Sequence, residues 1–292
     1  MPYRAIRVLA IIAWVFGMML SYGAKAEDLP VRVEFPSADK QTMLVGYYFK
    51  PEGEHPNKAP AIVMMHGRAG AYSTSANGTY NATTLSKRHA FWGHFWASQG
   101  YAAILVDGFG PRGYPHGFPV HSYDARPDAV NEVTVRPLDA YAALRYLRTR
   151  PDIDGKRIAL QGWSNGGSAT LVTMANASPD LVGLASNMGF KGALAFYPAC
   201  TLHGQFDQGY KAYAPLLILS GEADEEVSTK RCEELAEAAQ VKDGNVMMEI
   251  YPDATHDFDD PGIKRQSVPA NAKAADNAIR TARSFIRDLF SR

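Results

Sequence analysis

The sequence predicts an α/β fold: a mostly parallel eight-stranded sheet with helices on both faces. Three observations point there. Runs such as 61–65 and 102–106 are apolar without alternation, as strands buried on both faces require. Stretches with helical periodicity separate most of these runs, and a β/α alternation implies parallel neighbours. Ahead of them, 31–35 and 44–49 alternate apolar and polar residues around a Pro/Ser/Asp turn, the pattern of an antiparallel edge pair.

In chain order, Met1–Arg7 carries Arg4 and Arg7, residues 8–20 are almost wholly apolar, and Ala24-Lys25-Ala26 forms an A-x-A site. That order is expected of a secretory signal peptide over residues 1–26, cleaved after Ala26 so that no stable membrane anchor remains. The chain is therefore expected to be exported, periplasmic or secreted, with residues 27–292 as one domain. Loss of Arg4, Arg7 and Lys25 leaves 27 basic against 30 acidic residues. This balance shows no basic patch for nucleic acid or a membrane surface. Cys200 and Cys232 permit one disulfide if the strands ahead of them are neighbours; two buried free thiols are the alternative.

After the edge pair comes the strand 61–65, which runs into His66-Gly67-Arg68-Ala69-Gly70. Residues 85–99 read as a helix with Phe91, Trp92, Phe95 and Trp96 as its apolar stripe and Gly100 at its end. The strand 102–106 follows, then an irregular, aromatic loop to about 127, of which 109–123 is expected to wall a pocket. Pro137 suits a helix start, with Ala140, Ala143, Leu144 and Leu147 on one face. Strands at 158–160, 192–196, 215–219 and 246–251 come next, with a helix at 229–239 between the last two. A final helix aligns Ala275, Ala278, Ile279, Ala282, Ile286 and Leu289.

The strand at 158–160 leads into Gly162-Trp163-Ser164-Asn165-Gly166, a G-x-S-x-G pattern with a helix-compatible run behind it. Strand, pentapeptide and helix together make a nucleophile elbow, whose sharp turn lifts the serine hydroxyl above the sheet. A hydroxyl needs a base to become a nucleophile, and the base needs a third group to fix its tautomer. In α/β-hydrolases the order is serine, acid, histidine. The strand 215–219 ends in Ser220-Gly221-Glu222-Ala223-Asp224-Glu225, where Asp224 is favoured over Glu222 and Glu225. His203 precedes the acid, whereas His256 follows the last strand and fits the base. An oxyanion would be held by the Asn165 N–H and by one from the loop after the first parallel strand, Arg68 or alternatively Gly67. His66 is read as shaping that turn. His89/His94 and His116/His121 are five apart, off one helical face, so no metal is expected.

The segments MMHGRAG at 64–70, VDGFGPRG at 106–113, GWSNGG at 162–167, LSGEAD at 219–224 and YPDATHDF at 251–258 resemble the dienelactone hydrolase family of α/β-hydrolases. The resemblance spans nearly the whole mature chain. It implies the α/β-hydrolase fold, a Ser164–Asp224–His256 triad, no cofactor, and a small-molecule ester or lactone substrate. The family's dienelactone hydrolases use a cysteine where this chain has Ser164. Of the two arginines with which they hold a substrate carboxylate, Arg112 matches one, and Asp259 and Asp260 stand where the other belongs. The expectation therefore moves to an exported serine carboxylesterase. Phe109, Arg112 and Trp163 are its candidate substrate-binding side chains, although Arg112 also reads as a brace for its own loop. Two other readings use the same fold: a small serine peptidase of prolyl-peptidase type, and a non-catalytic binding protein.

Overall fold

A computed structural model describes residues 28–53, 58–175, 189–243 and 245–292. The signal segment expected at 1–26 lies outside the described residues. The strands are β1 (Val31–Pro36), β2 (Met43–Phe49), β3 (Ala59–Met65), β4 (Ala102–Asp107), β5 (Ile153–Trp163), β6 (Ala193–Phe196), β7 (Leu216–Gly221) and β8 (Val246–Tyr251). The helices are α1 (Lys87–Ser98), α2 (Arg136–Thr149), α3 (Asn165–Met174), α4 (Thr229–Asp243), α5 (Ile263–Gln266) and α6 (Pro269–Phe290). The strands form one sheet in the order β1-β2-β4-β3-β5-β6-β7-β8. β1/β2 and β2/β4 are antiparallel and every other pairing is parallel. All eight predicted strands are present, and β5 begins several residues earlier than its apolar core indicated.

Strand residues alternate between two faces, so an unbroken apolar run serves two cores at once. In β3, Ala61, Val63 and Met65 point into one core, with Ala140, Leu144 and Leu147 of α2 and Leu171 of α3. Ile62 and Met64 point into the other, with Trp92 and Trp96 of α1 and Ala278, Ala282 and Ile286 of α6. Burying two faces is what makes these strands read as continuous hydrophobe. Within the predicted α1 stripe, Trp92 and Trp96 are fully buried, but Phe91 is 38% exposed. It lies at the edge of the stripe and stacks on Phe95 instead. Gly100 takes a φ of +83° just past α1, a left-handed conformation open to glycine at little cost. Among the described residues, no helix is long and apolar enough to cross a membrane.

Cys200, after β6, and Cys232, on α4, are joined in a disulfide across 32 residues of sequence. The cross-link restricts the unfolded chain and contributes about 3 kcal/mol. Replacing both cysteines by serine is expected to lower Tm by about 6–12 °C, read by thermal circular dichroism under non-reducing conditions.

Candidate active site

β5 ends at Trp163 and α3 begins at Asn165, so Ser164 alone makes the turn. It does so at φ 50°, ψ −115°, a conformation that costs a non-glycine residue about 1–3 kcal/mol. The surrounding packing enforces it. A Cβ on Gly166 would lie 2.1 Å from the Met65 carbonyl oxygen, and one on Gly162 would lie 2.1 Å from that of Gly166. The Ser164 N–H donates to the Phe196 oxygen at 2.9 Å, which anchors the turn to β6.

Asp224 and His256 sit on adjacent loops at the same edge of the sheet. β7 and β8 are parallel neighbours, and their following loops are zipped together. Glu222 N–H donates to Tyr251 O at 2.9 Å and Ala223 N–H to Ala254 O at 3.0 Å. Gly221 permits this approach, because a Cβ there would meet Ala254 O at 2.2 Å. Asp224 Oδ1 accepts the N–H groups of Glu226 and Val227, both at 2.9 Å, and this fixes the carboxylate. Its Oδ2 accepts from His256 Nδ1 at 2.7 Å. With that proton on Nδ1, His256 Nε2 is the acceptor for the Ser164 hydroxyl 3.0 Å away. Glu225, one of the competing acids, instead accepts the backbone N–H of His256 at 2.8 Å and pairs with Arg265. The His203 side chain lies outside the described residues.

Burial pulls the His256 imidazole down. The Asp224 hydrogen bond and the charges of Asp257 and Glu226 outweigh it, and the pKa rises above its usual value. His66 goes the other way: full burial and the charge of Arg136 hold it well below the ordinary range. Neutral His66 donates from Nδ1 to Gly67 O at 2.8 Å and accepts the Gly108 N–H at Nε2, 3.3 Å away, so it shapes the turn after β3. That turn lies against the elbow; a Cβ on Gly67 would be 3.5 Å from Ser164 Cβ. The N–H groups of Gly67, Arg68 and Asn165 have no hydrogen-bond acceptor among the described residues. Arg68 and Asn165 border a cavity of about 120 Å³ at Ser164, which His121, Tyr123, Arg126, Ala199 and Glu226 also wall.

The three side chains expected to touch substrate are placed elsewhere. Arg112 is a brace: it donates to Asp139 at 2.7 and 2.9 Å, to Asp39 at 2.6 Å and to Gly108 O at 2.7 Å. Phe109 is fully buried against His66 and Phe118. Trp163 is fully buried, and its indole N–H donates to Asp259 at 2.8 Å. Only the end of the loop expected as a wall, Val120, His121 and Tyr123, borders the cavity. Asp139 is fully buried, so removing Arg112 strands a charge, at a cost of about 3–5 kcal/mol. Arg112→Ala is expected to lower Tm sharply while the KM for neutral esters stays unchanged, measured on the same preparation.

The acids after His256 are likewise engaged inside the protein. Asp259 accepts from Trp92, Trp163 and Tyr197, while Asp257 and Asp260 pair with Arg88. Glu226, His256 and Asp257 bring ligand-type atoms within 4.8 Å of one another. Each is already committed, Glu226 to Arg68, His256 to Ser164 and Asp257 to Arg88. Sequence reasoning missed Glu226, whose carboxylate takes a two-pronged bond from Arg68 and lies 3.7 Å from His256 Nε2. It also missed Arg136, which donates to His66 O at 2.7 Å and to the Asn165 side-chain oxygen. A basic residue in the first turn of a helix, against the dipole, was the available signal for Arg136.

Solved structures share this arrangement of strands and helices. Thermogutta terrifontis esterase 2 is 19% identical with TM-score 0.58, covering 91% of this chain and 96% of that one. A dienelactone hydrolase-like promiscuous phosphotriesterase from metagenomic libraries is 16% identical with TM-score 0.61, covering 90% and 99%. A puromycin-hydrolyzing peptidase of Mycobacterium tuberculosis is 17% identical with TM-score 0.61, covering 88% of this chain but 39% of its own. At these identities the likeness is one of fold. The family assignment comes from the sequence profile, which matches residues 44–290 and thus takes in the elbow, the acid loop and the histidine loop: the chain belongs to the dienelactone hydrolase family.

Proposed function

We propose that this hydrolase is an exported serine enzyme that cleaves carboxylic esters or lactones through an acyl-enzyme on Ser164. The observation that carries this reading is the unbroken hydrogen-bonded line Asp224–His256–Ser164, opening on a cavity beside unpaired backbone N–H groups. His256 Nε2 takes the hydroxyl proton as Ser164 Oγ attacks the carbonyl carbon. Asp224 holds the imidazole tautomer and balances its cation. The Asn165 N–H and that of Arg68, or alternatively Gly67, receive the oxyanion. His256 then protonates the leaving alcohol, and water repeats the sequence to release the acid. The apolar segment ending in Ala24-Lys25-Ala26 and the Cys200–Cys232 bridge support export to an oxidising compartment.

The cavity at Ser164 is small, about 120 Å³, which favours a short acyl group. The test is a panel of p-nitrophenyl esters, lactones and peptide anilides, with Ser164→Ala as control. Turnover of acetyl or butyryl esters well above octanoyl ones, absent in the control, is expected. Hydrolysis of peptide anilides alone would establish the peptidase reading instead.

The base must be neutral to accept a proton, and its folded pKa is raised above the usual 6.5. The acid limb of kcat/KM is therefore expected to have its midpoint above pH 6.5. The same shift has the opposite sign for stability. This group's contribution is full below its unfolded pKa and is lost as pH rises through the folded one. A kcat/KM profile that is flat down to pH 5 would contradict the assignment of His256.

A further inference from the structure

Arg136 opens α2 immediately before Pro137 and is fully buried. A cation in the first turn opposes the helix dipole, and a buried guanidinium without a contacting carboxylate is expensive. Arg136 has no such carboxylate among the described residues. Asp139 is bonded to Arg112 and Ser37, and Glu132 lies 3.9 Å from Arg126. The Phe109 ring faces Arg136 at 5.0 Å. Among the described residues its Nε and Nη2 have no hydrogen-bond partner, and Nη1 makes both of its bonds. Burial of this cation costs fold stability, and the charges of Asp139 and Glu132 only partly offset that cost.

The two acceptors of Nη1 explain its place. One is the His66 carbonyl, on the peptide that carries the Gly67 N–H and two residues ahead of Arg68. The other is the side chain of Asn165, the residue after the nucleophile. We propose that Arg136 is a positioning residue that ties together the two backbone segments of the oxyanion site and sets a fixed positive charge behind them. This rests on the serine-hydrolase reading above. When Ser164 Oγ bonds the acyl carbon, the carbonyl electron pair moves onto oxygen and the hydroxyl proton moves to His256 Nε2. A preorganised cation in a dry site favours that developing charge. No proton passes through Arg136. Burial lowers its pKa, against the charges of Asp139 and Glu132, to about 10, so it stays charged at neutral pH.

The test compares Arg136→Met and Arg136→Lys for kcat and KM on p-nitrophenyl acetate, and for inhibition by a short alkylboronic acid. Boronic acids form a tetrahedral anion on the serine and so report the oxyanion site. For the Met variant, kcat is expected to fall about 10–100-fold with KM within about threefold. Boronate affinity is expected to fall with kcat, and Lys to recover part of both. A folded Met variant with kcat within about twofold of wild type would overturn the proposal, as would unchanged boronate affinity. If the Met variant does not fold, Asn165→Ala cuts one arm of the link while keeping the Asn165 N–H. The same joint loss is expected there, and unchanged values would equally overturn it. Activity in Ser164→Ala would sink the parent reading; an inactive Ser164→Ala beside an unaffected Arg136→Met would sink this inference alone.

Discussion

Ser164→Ala is expected to reduce kcat for p-nitrophenyl acetate by about 10⁴–10⁶-fold, to the residue of binding and oxyanion stabilisation. Fold stability should barely change. Alanine keeps the Cβ at the turn, and the backbone bonds from Ser164 N–H to Phe196 O and from Ser168 N–H to Ser164 O remain. Asp224→Asn tests the same line from its other end. Its amide keeps an Oδ1 acceptor for the Glu226 and Val227 N–H groups but removes the charge facing His256 Nδ1. A loss of about 10⁴-fold is expected, because the imidazole loses both its tautomer and the partner of its cation. Kinetics with protein concentration corrected by active-site titration of the wild type would measure both. Ordinary kcat in either variant would remove the nucleophile or its orienter from the account.

Much of this site was legible because the chain order of an α/β sheet is also a spatial order. Ser164, Asp224 and His256 each follow a strand, and the three strands β5, β7 and β8 point the same way in one sheet. Their carboxyl ends therefore meet along one edge. The strands themselves were legible because two buried faces leave no polar position in β3, and none in β4 before its last residue, Asp107. Side chains that converge from distant elements carried no such signal. Arg112 was a candidate for a substrate-binding arginine of the family from its place after β4, yet its partners Asp39 and Asp139 come from the β1–β2 turn and from α2. Nothing in the loop's own sequence shows those two acids arriving. Trp163, one residue from the nucleophile, reads as a pocket residue by proximity. Strand alternation turns it to the opposite side, where Asp259 accepts its indole N–H. Glu226 lay within a run of acids in which only one member could be ranked by the expected triad order. Its pairing with Arg68 spans 158 positions of sequence.

Gly166→Ala is expected to be the most damaging single-methyl change at the elbow. The added Cβ would sit 2.1 Å from Met65 O and 2.6 Å from His66 O, both backbone atoms that cannot rotate away. Either α3 retreats from β3 or the His66–Arg68 turn moves, and both break the register between nucleophile and oxyanion donors. A destabilisation of about 3 kcal/mol or more is expected, lowering Tm by at least about 6 °C, with most of the hydrolase activity lost. Gly78→Ala is the control. Gly78 has a φ of +82° with nothing within 4 Å of the added atom, so only backbone strain of about 1–2 kcal/mol applies. Differential scanning calorimetry of the two variants separates packing from strain. Equal Tm values would show that the elbow yields more readily than its contacts imply.

In the proposed mechanism, Asp224 and His256 make Ser164 a nucleophile. A fluorophosphonate probe reports it directly, because only an activated serine displaces fluoride at an appreciable rate. Labelling of the protein followed by peptide mass spectrometry is expected to place one adduct on Ser164. The adduct should be absent in Ser164→Ala and form much more slowly in His256→Ala. No adduct on folded wild-type protein, or an adduct on another residue that persists in Ser164→Ala, would contradict it.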